Sequence, residues 1–325
     1  WWNRDKLKKV KIAKLLDRDE KTIRNEIKKG LVKNLTTELE EIWVYSADLV
    51  QSKYEYYLKA KGPKLKIGND YKLKEYIEKS IKEDKKSPEV IAKEIKKMKF
   101  KTKMCARTIR NNIYAGDIFD ISKEDMLYKK KHKPKNKDRV VCDKVPEEKS
   151  IEHRPEEANQ REIYGHWEGD LVIGKRKKGS VLFTLTERKT REEIIIKLPS
   201  KKAEEVAKAL DKIEKIYKKD FKKKFKTITF DNGPEFRNWR SLEKSYDGRK
   251  KDSRTQVYYA HPYCSGERGS NENGNRLIRR FIPKGTDITL ISEEFIKRIE
   301  TWINNYPRAM FNYKSTNEIL KELCA

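Results

Sequence analysis

The sequence predicts an α+β chain, with an all-α N-terminal half of tandem helix-turn-helix modules followed by a mixed α/β domain. Three observations carry this. A short apolar pattern occurs twice before residue 120, helical periodicity gives way to strand patterns near His166, and short strands and helices then follow in the order βββαβαβα.

Composition narrows the possible partners first. The chain has 325 residues, enough for two or three domains that each bury a core. Lys and Arg number 79 against 52 Asp and Glu, a formal net charge of +27. So positive a surface attracts polyanions, and nucleic acid leads the partners expected. Lys/Glu richness that merely solvates helices accounts for the number of charges better than for their imbalance. No stretch approaches the roughly 18 apolar residues that a membrane span needs, and the charged opening WWNRDKLKKVKIAKLL supplies no secretory core. With Trp1 in first place rather than Met, the natural start is left open. Cys105, Cys142, Cys264 and Cys324 form no CxxC pair, which argues against a zinc ribbon or a disulfide framework and for a reducing cytoplasm.

In the first repeat, residues 1–45, Val10, Ile12, Ala13, Leu15 and Leu16 make a helical apolar face, Asp17-Arg18-Asp19 reads as a turn, and Ile23 and Ile27 recur at i, i+4. That is a helix-turn-helix pattern. With the isoleucines inward, Lys21, Thr22, Arg24, Asn25 and Lys28 face outward, as a recognition helix would offer donors to bases and phosphates. Residues 46–65 read as a connecting helix, Ser46 to Ala60, broken by Lys61-Gly62-Pro63-Lys64. The second repeat, residues 66–120, begins a helix at Ser87-Pro88-Glu89, with Ser as N-cap and Pro in the first turn. Val90, Ile91 and Ile95 form its inner face. A longer basic turn leads to a second recognition helix, where Arg107, Thr108, Arg110 and Asn111 face out beside inward Ile109 and Ile113. Residues 121–160, with the run YKKKHKPKNK at 128–137, read equally well as a basic linker or as an arm that tracks the DNA backbone.

From 161 to 325 the pattern is mixed. Residues 167–173, 180–186 and 192–198 read as strands joined too tightly for parallel crossovers, 201–220 as a helix, and Thr227 to Phe230 as a strand ending at Asp231-Asn232-Gly233-Pro234. A further helix, a strand near 257–260 and a helix from about Gly269 complete the order, which is the ribonuclease-H-like one. In that topology the first strand lies beside the fourth, so Asp170 and Asp231 become neighbours, and Glu272 reaches them from the covering helix. Singly, each acid has a plainer reading as a turn or cap residue; jointly they occupy a strand, a strand end and a helix of one consistent fold. Three converging carboxylates need cations, and hard oxygen ligands suit Mg²⁺ or Mn²⁺, with two ions serving phosphoryl transfer.

These residues carry a resemblance. The chain resembles bacterial insertion-sequence transposases of the insertion-sequence-thirty family, within the DDE superfamily, whose catalytic domain is RNase H-like and retroviral-integrase-like. Gly165-His166-Trp167-Glu168-Gly169-Asp170 is similar to the block with the first catalytic Asp, Thr229-Phe230-Asp231-Asn232-Gly233 to the second, and Glu267-Arg268-Gly269-Ser270-Asn271-Glu272-Asn273 to the block with the Glu. Asn304-Asn305-Tyr306-Pro307-Arg308 and Tyr313-Lys314-Ser315-Thr316 are similar to a closing motif. Departures are a polar insertion from Ser245 to Thr255 and Gly266 where the family has an aromatic. The resemblance implies that Asp170, Asp231 and Glu272 are catalytic and hold the metal. It also implies binding of terminal inverted repeats and target DNA, cleavage at the element's ends, and joining of the 3′-hydroxyl to DNA. No membrane and no nucleotide cofactor are expected, and the setting implied is a bacterial cytoplasm, at the nucleoid while acting. Arg268, Arg276 and Arg279 are candidates for phosphate contacts, and a dimer or higher assembly is expected because two DNA ends must be held together. The competing readings are a DNA-binding regulator with a non-catalytic RNase H-like domain, a metal-dependent nuclease without strand transfer, and a basic RNA-associated protein.

Overall fold

The computed structural model describes residues 1–60, 67–68, 70–116, 119–122, 125–126, 146–175, 179–247, 252–262 and 264–324. The basic run 128–137 lies outside the described residues. The chain divides into two compact units, Trp1–Gly68 and Asn69–Ala325.

In the first unit, α1 (Lys9–Leu15) and α2 (Glu20–Gly30) meet through Ile12, Ala13, Ile23 and Ile27. The turn between them closes as read: Asp17 takes a positive φ of 48°, and Asp19 caps α2 by accepting from the Lys21 and Thr22 N–H groups at 2.8 and 3.3 Å. The apolar face expected of α1 is narrower than its sequence suggested. Val10, Leu15 and Leu16 are about half exposed, because a helix of two turns has room to bury only one pair of residues against α2. A hairpin not foreseen in the sequence, β1 (Leu31–Leu35) with β2 (Glu41–Tyr45), follows α2. The helix expected to connect the modules, α3 (Ala47–Ala60), packs on α2, where Gly30 leaves space for Tyr45 and Val50.

The second unit starts with α4 (Tyr71–Lys82), α5 (Pro88–Lys97) and α6 (Ala106–Ala115), whose buried faces include Leu73, Ile77, Ile81, Val90, Ile91, Ile95, Ile109 and Ile113. The long turn after α5 is drawn in by the Lys103 ammonium, which donates to the Ile95 and Met98 carbonyls at 2.9 and 2.5 Å. This module belongs to the same compact unit as the domain that follows, not to a body of its own. The Ser87 N–H donates to the Tyr306 hydroxyl at 3.0 Å, Trp302 donates to the Asp84 carbonyl at 3.0 Å, and Arg280 donates to the Lys85 and Asp125 carbonyls. From Pro146 the span expected as linker is also folded. Ser150 bridges to Tyr259, and buried Arg154 donates to Thr229 at 3.1 Å just ahead of α7 (Glu156–Gln160).

The described sheet has five strands: β3 (His166–Ile173), β4 (Val181–Glu187), β5 (Glu193–Leu198), β6 (Thr227–Phe230) and β7 (Gln256–Tyr259), in the order β5-β4-β3-β6-β7. β3, β4 and β5 are antiparallel, as their short connections require, and β6 and β7 add in parallel beside β3. One face packs on α8 (Ala203–Tyr217), α9 (Phe221–Lys224) and α10 (Trp239–Glu243) through Trp167, Phe183, Phe225, Phe230 and Phe236. The other is covered by α11 (Gly269–Ile278) and α12 (Glu293–Asn305) through Val172, Leu182, Ile195, Ile278 and Ile303; α13 (Thr316–Cys324) follows. The helix expected over 201–220 ends at Tyr217, where Lys218 turns to positive φ. The expected polar loop 245–255 is pinned at both ends: Ser245 donates to Glu214 at 2.5 Å, and buried Arg254 pairs with Asp211 at 2.6 Å and Glu214 at 3.2 Å.

Gly169, next to Asp170, is glycine for a packing reason. A Cβ there would stand 2.2 Å from the ring of Phe230, itself stacked at 4.5 Å on Phe236. Gly169→Ala is expected to lower stability by about 1–3 kcal/mol through overpacking, read as a fall in the urea midpoint with an unchanged m-value.

Candidate active site

Strand alternation decides which groups meet. Along β3, Trp167 and Leu171 face the α8 core, so Glu168, Asp170 and Val172 face α11. The parallel register sets Glu168 opposite Thr229. Two residues further along, Asp170 in the middle of β3 therefore stands beside Asp231, just past the carboxyl end of β6. The turn after β6 fixes Asp231: its Oδ1 accepts from the Gly233 N–H at 3.0 Å, and the Asn232 amide donates to the Ala260 carbonyl at 3.0 Å.

Arg268 lies between the two aspartates. It ends the short turn Ser265–Arg268 that enters α11, and its Nη2 donates to Asp231 Oδ2 at 3.0 Å. Its Nη1 donates to the Gly169 carbonyl at 3.2 Å and stands 3.7 Å from Asp170 Oδ1. Asn275 of α11 donates to Asp170 Oδ2 at 2.7 Å. Burial raises the Asp170 carboxyl above the ordinary range; Arg268 opposes that rise and Asp231 adds to it. The turn that carries Arg268 is anchored by Glu267, which accepts from the His261 N–H and from its Nδ1, each at 2.8 Å. Within that turn, a Cβ on Gly266 would meet nothing within 4 Å, so the position where an aromatic was expected has open space.

Glu272 sits in the first turn of α11, 54% exposed, and pairs with Arg276 at 2.5 Å. Among the described residues no three carboxylate, histidine or cysteine groups gather closely enough to hold an ion. Of the three predicted acids, the structure thus brings Asp170 and Asp231 together and turns Glu272 outward toward its i+4 neighbour. Arg279 ends α11 and donates to the Ile173 carbonyl at 2.6 Å, at the end of β3. His166 is buried and shares a hydrogen bond with Thr227 at 2.8 Å, and burial lowers its pKa.

Sequence reasoning missed the contacts that hold α11 to the sheet. Glu168, fully buried, accepts from the Asn271 N–H at 2.9 Å and pairs with Arg188. Glu193, also buried, accepts from Thr186 at 2.8 Å, and a Cβ on Gly274 would stand 2.6 Å from it. Period-2 alternation could have marked Glu168 and Glu193 as inward; nothing in the sequence marked Arg188. In the helical modules, Lys21, Thr22, Arg24, Asn25, Lys28, Arg107 and Asn111 are exposed as expected. Thr108 and Arg110 are half-buried, and Arg110 is paired with Glu89, which spends part of its charge within the module.

Residues 160–258 match the family described as integrase core domain; Asp170 and Asp231 fall inside the match and Glu272 beyond its end. The chain is 39% identical over 174 residues to the "Probable transposase for insertion-like sequence element IS1161" of Streptococcus salivarius, covering 53% of this chain and 46% of that protein. It is 37% identical over 183 residues to the "Transposase for insertion sequence element IS4351" of Bacteroides fragilis, covering 55% and 51%. With the "Transposase InsI for insertion sequence element IS30A" of Escherichia coli strain K12 it shares 33% over 171 residues, covering 53% and 42%. The chain thus spans about half the length of these relatives. The likenesses bear out the resemblance carried by the sequence blocks and support a DDE-type insertion-sequence transposase.

Two outcomes are expected. Removing the cation already between the aspartates, as in Arg268→Gln, should lower the stability of the metal-free protein and tighten Mn²⁺ binding about fivefold, as expected for a partly exposed pair of about 1 kcal/mol; calorimetric titration reads the change, and weaker binding would refute the competition. Burial pushes Glu193 from 4.5 up to about 8. The folded state therefore binds more protons than the unfolded one across that window, and stability falls as pH rises through it. Glu193→Gln should show a smaller decline of melting temperature from pH 4.5 to about 8 than the parent.

Proposed function

We propose that the chain is a DNA transposase that binds the terminal inverted repeats of an insertion sequence, cleaves at the element's ends and joins the resulting 3′-hydroxyl to DNA. The observation that carries this reading is the aspartate pair, one on β3 and one just past β6, set in a domain similar to an integrase core. A formal charge of +27 and two exposed candidate recognition helices, α2 and α6, support double-stranded DNA as the partner. No helix among the described residues is long and apolar enough to cross a membrane.

The donor set fits a hard divalent cation. Asp170 and Asp231 are close enough to share one guanidinium, and both offer carboxylate oxygens. These two residues would hold Mg²⁺ or Mn²⁺, two ions per site, with Glu272 joining once it leaves Arg276. Bound metal supplies activation of water or a 3′-hydroxyl and neutralises charge on the leaving oxygen. Asn275 orients Asp170 through its amide. Arg268, released from the aspartates, is placed to contact a non-bridging phosphate oxygen, and Arg276, released from Glu272, to hold the neighbouring strand. His166 has no part in proton transfer, being buried against Thr227. A homodimer or larger assembly follows from the need to hold two DNA ends at once.

The test is incubation with a duplex carrying the element's terminal repeat and Mg²⁺ or Mn²⁺, comparing the parent with Asp231→Ala. Metal-dependent nicking and end-joining, reduced at least about a thousandfold in the variant, are expected. Cleavage without joining would identify a nuclease, and specific binding with no cleavage by the parent would leave a DNA-binding regulator.

A further inference from the structure

We propose that a cavity beside α11 is a second phosphate subsite, which holds a backbone phosphate of the same DNA strand whose reacting phosphodiester lies at Asp170 and Asp231. The inference rests on the proposed function.

The cavity measures about 260 Å³ and is bounded by Arg191 from the β4–β5 turn, Ser270, Asn273 and Arg276 from α11, and Arg308 from the segment after α12. It falls just below the range of about 300–1,000 Å³ typical of small-molecule pockets, a size suited to a phosphodiester unit. Three guanidiniums from three parts of the chain converge on it. Among the described residues, Arg191 and Arg308 make no ion pair within 4 Å. Arg191, 9% exposed, donates to the Ser270 hydroxyl; Arg308 donates to the Arg191 carbonyl at 3.4 Å, and its Nε is buried without a hydrogen-bond partner. Burial, with Arg161 and then Arg308 adding to it, pushes Arg191 down to about 10 against the pull of Glu168, so the guanidinium remains charged at neutral pH. The acid that acts on Arg308 is Glu193, whose own carboxyl burial pushes up to about 8. Arg191, buried, and Arg308, half-buried, have no acid at ion-pair distance, an arrangement that is costly unless an anion completes it. Guanidinium forks, a hydroxyl and an amide match the tetrahedral oxygens of a phosphate.

The helix sets the spacing. At 3.6 residues per turn, Asn275 lies on the flank of α11 that follows on from Arg268 at its N-cap, and both reach the aspartates. Ser270 and Leu277, which line the cavity, lie on the other, and exposed Glu272, Asn273 and Arg276 run between them. A strand crossing that exposed strip spans roughly the 10 Å diameter of the helix, or about three nucleotides at 3.4 Å each.

The experiment uses the full chain and a terminal-repeat duplex in which single phosphates near the cleaved end are replaced by neutral methylphosphonates, with binding read by fluorescence anisotropy without divalent metal. The parent should lose about tenfold in affinity at one phosphate within about three nucleotides of the cleaved position. In Arg308→Gln and in Arg191→Gln that substitution should cost nothing further, while phosphates elsewhere keep their effect, which shows that both variants are folded. The salt dependence of binding should fall by about one unit of slope. Undiminished sensitivity at every phosphate in both variants would overturn the subsite and leave the transposase reading standing. No DNA binding by the parent would overturn both. Inorganic pyrophosphate that raises the melting temperature of the parent but not of Arg308→Gln, with no methylphosphonate effect near the cleaved end, would assign the cavity to a free anion and overturn the DNA assignment.

Discussion

The site depends on one buried carboxylate. Glu168 lies on β3 two residues before Asp170, without solvent exposure, and is satisfied from two sides: the Asn271 N–H of α11 at 2.9 Å, and the Arg188 guanidinium just past β4. Arg188 in turn donates to the Ala158 carbonyl at 2.8 Å and the Glu267 carbonyl at 3.3 Å. A single ion pair thus joins the strand that carries Asp170, the start of the helix that carries Glu272, the turn that carries Arg268, and the segment leading into the domain. Breaking such a pair on one side leaves an uncompensated buried charge, typically about 3–5 kcal/mol, so its geometry is held firmly. The positions of Asp170 and Arg268 follow from it.

Around that pair the face of the sheet under the N-terminal half of α11 is polar. Thr184 and Thr186 share hydrogen bonds with Asn271 at 3.3 Å, and Thr186 also donates to Glu193. Further along, Leu277, Ile278 and Ile282 return the contact to an apolar core. The same helix is therefore fixed by apolar packing at one end and by directional hydrogen bonds at the other. The directional end is the one that begins at Arg268, between the two aspartates, where orientation matters more than burial.

Much of this was legible in the residues, for physical reasons. Asp170 and Asp231 could be placed because strand alternation and a strand ending in Asp-Asn-Gly are local signals, and the sheet order then forced them together. Glu272 could be placed on its helix, but not its side-chain direction, since Arg276 at i+4 competes for it. Arg268 was legible as a cation near phosphate, not as the group between the aspartates, because its approach depends on a turn anchored by His261 from another segment. The hairpin at 31–45 escaped notice because its turn, Thr36 to Glu40, has no Asn-Gly or Asp-Gly signal and its strands are largely exposed. The tie between the helical module and the mixed α/β domain depends on single long-range contacts such as Ser87 to Tyr306, which no periodicity foretells.

That tie has a consequence for DNA. Because α6 and the aspartates belong to one compact unit, fastened by Tyr306, Trp302 and Arg280, the proposed function would have the base pairs met by α6 and the bond presented to Asp170 held at a separation set by the protein and not by a tether. On the proposed reading this half of the molecule is a ruler. Adding or removing a few base pairs between the recognised sequence and the cut would rotate one out of phase with the other along the double helix, against the contacts that join Tyr306, Trp302 and Arg280 to the helical module.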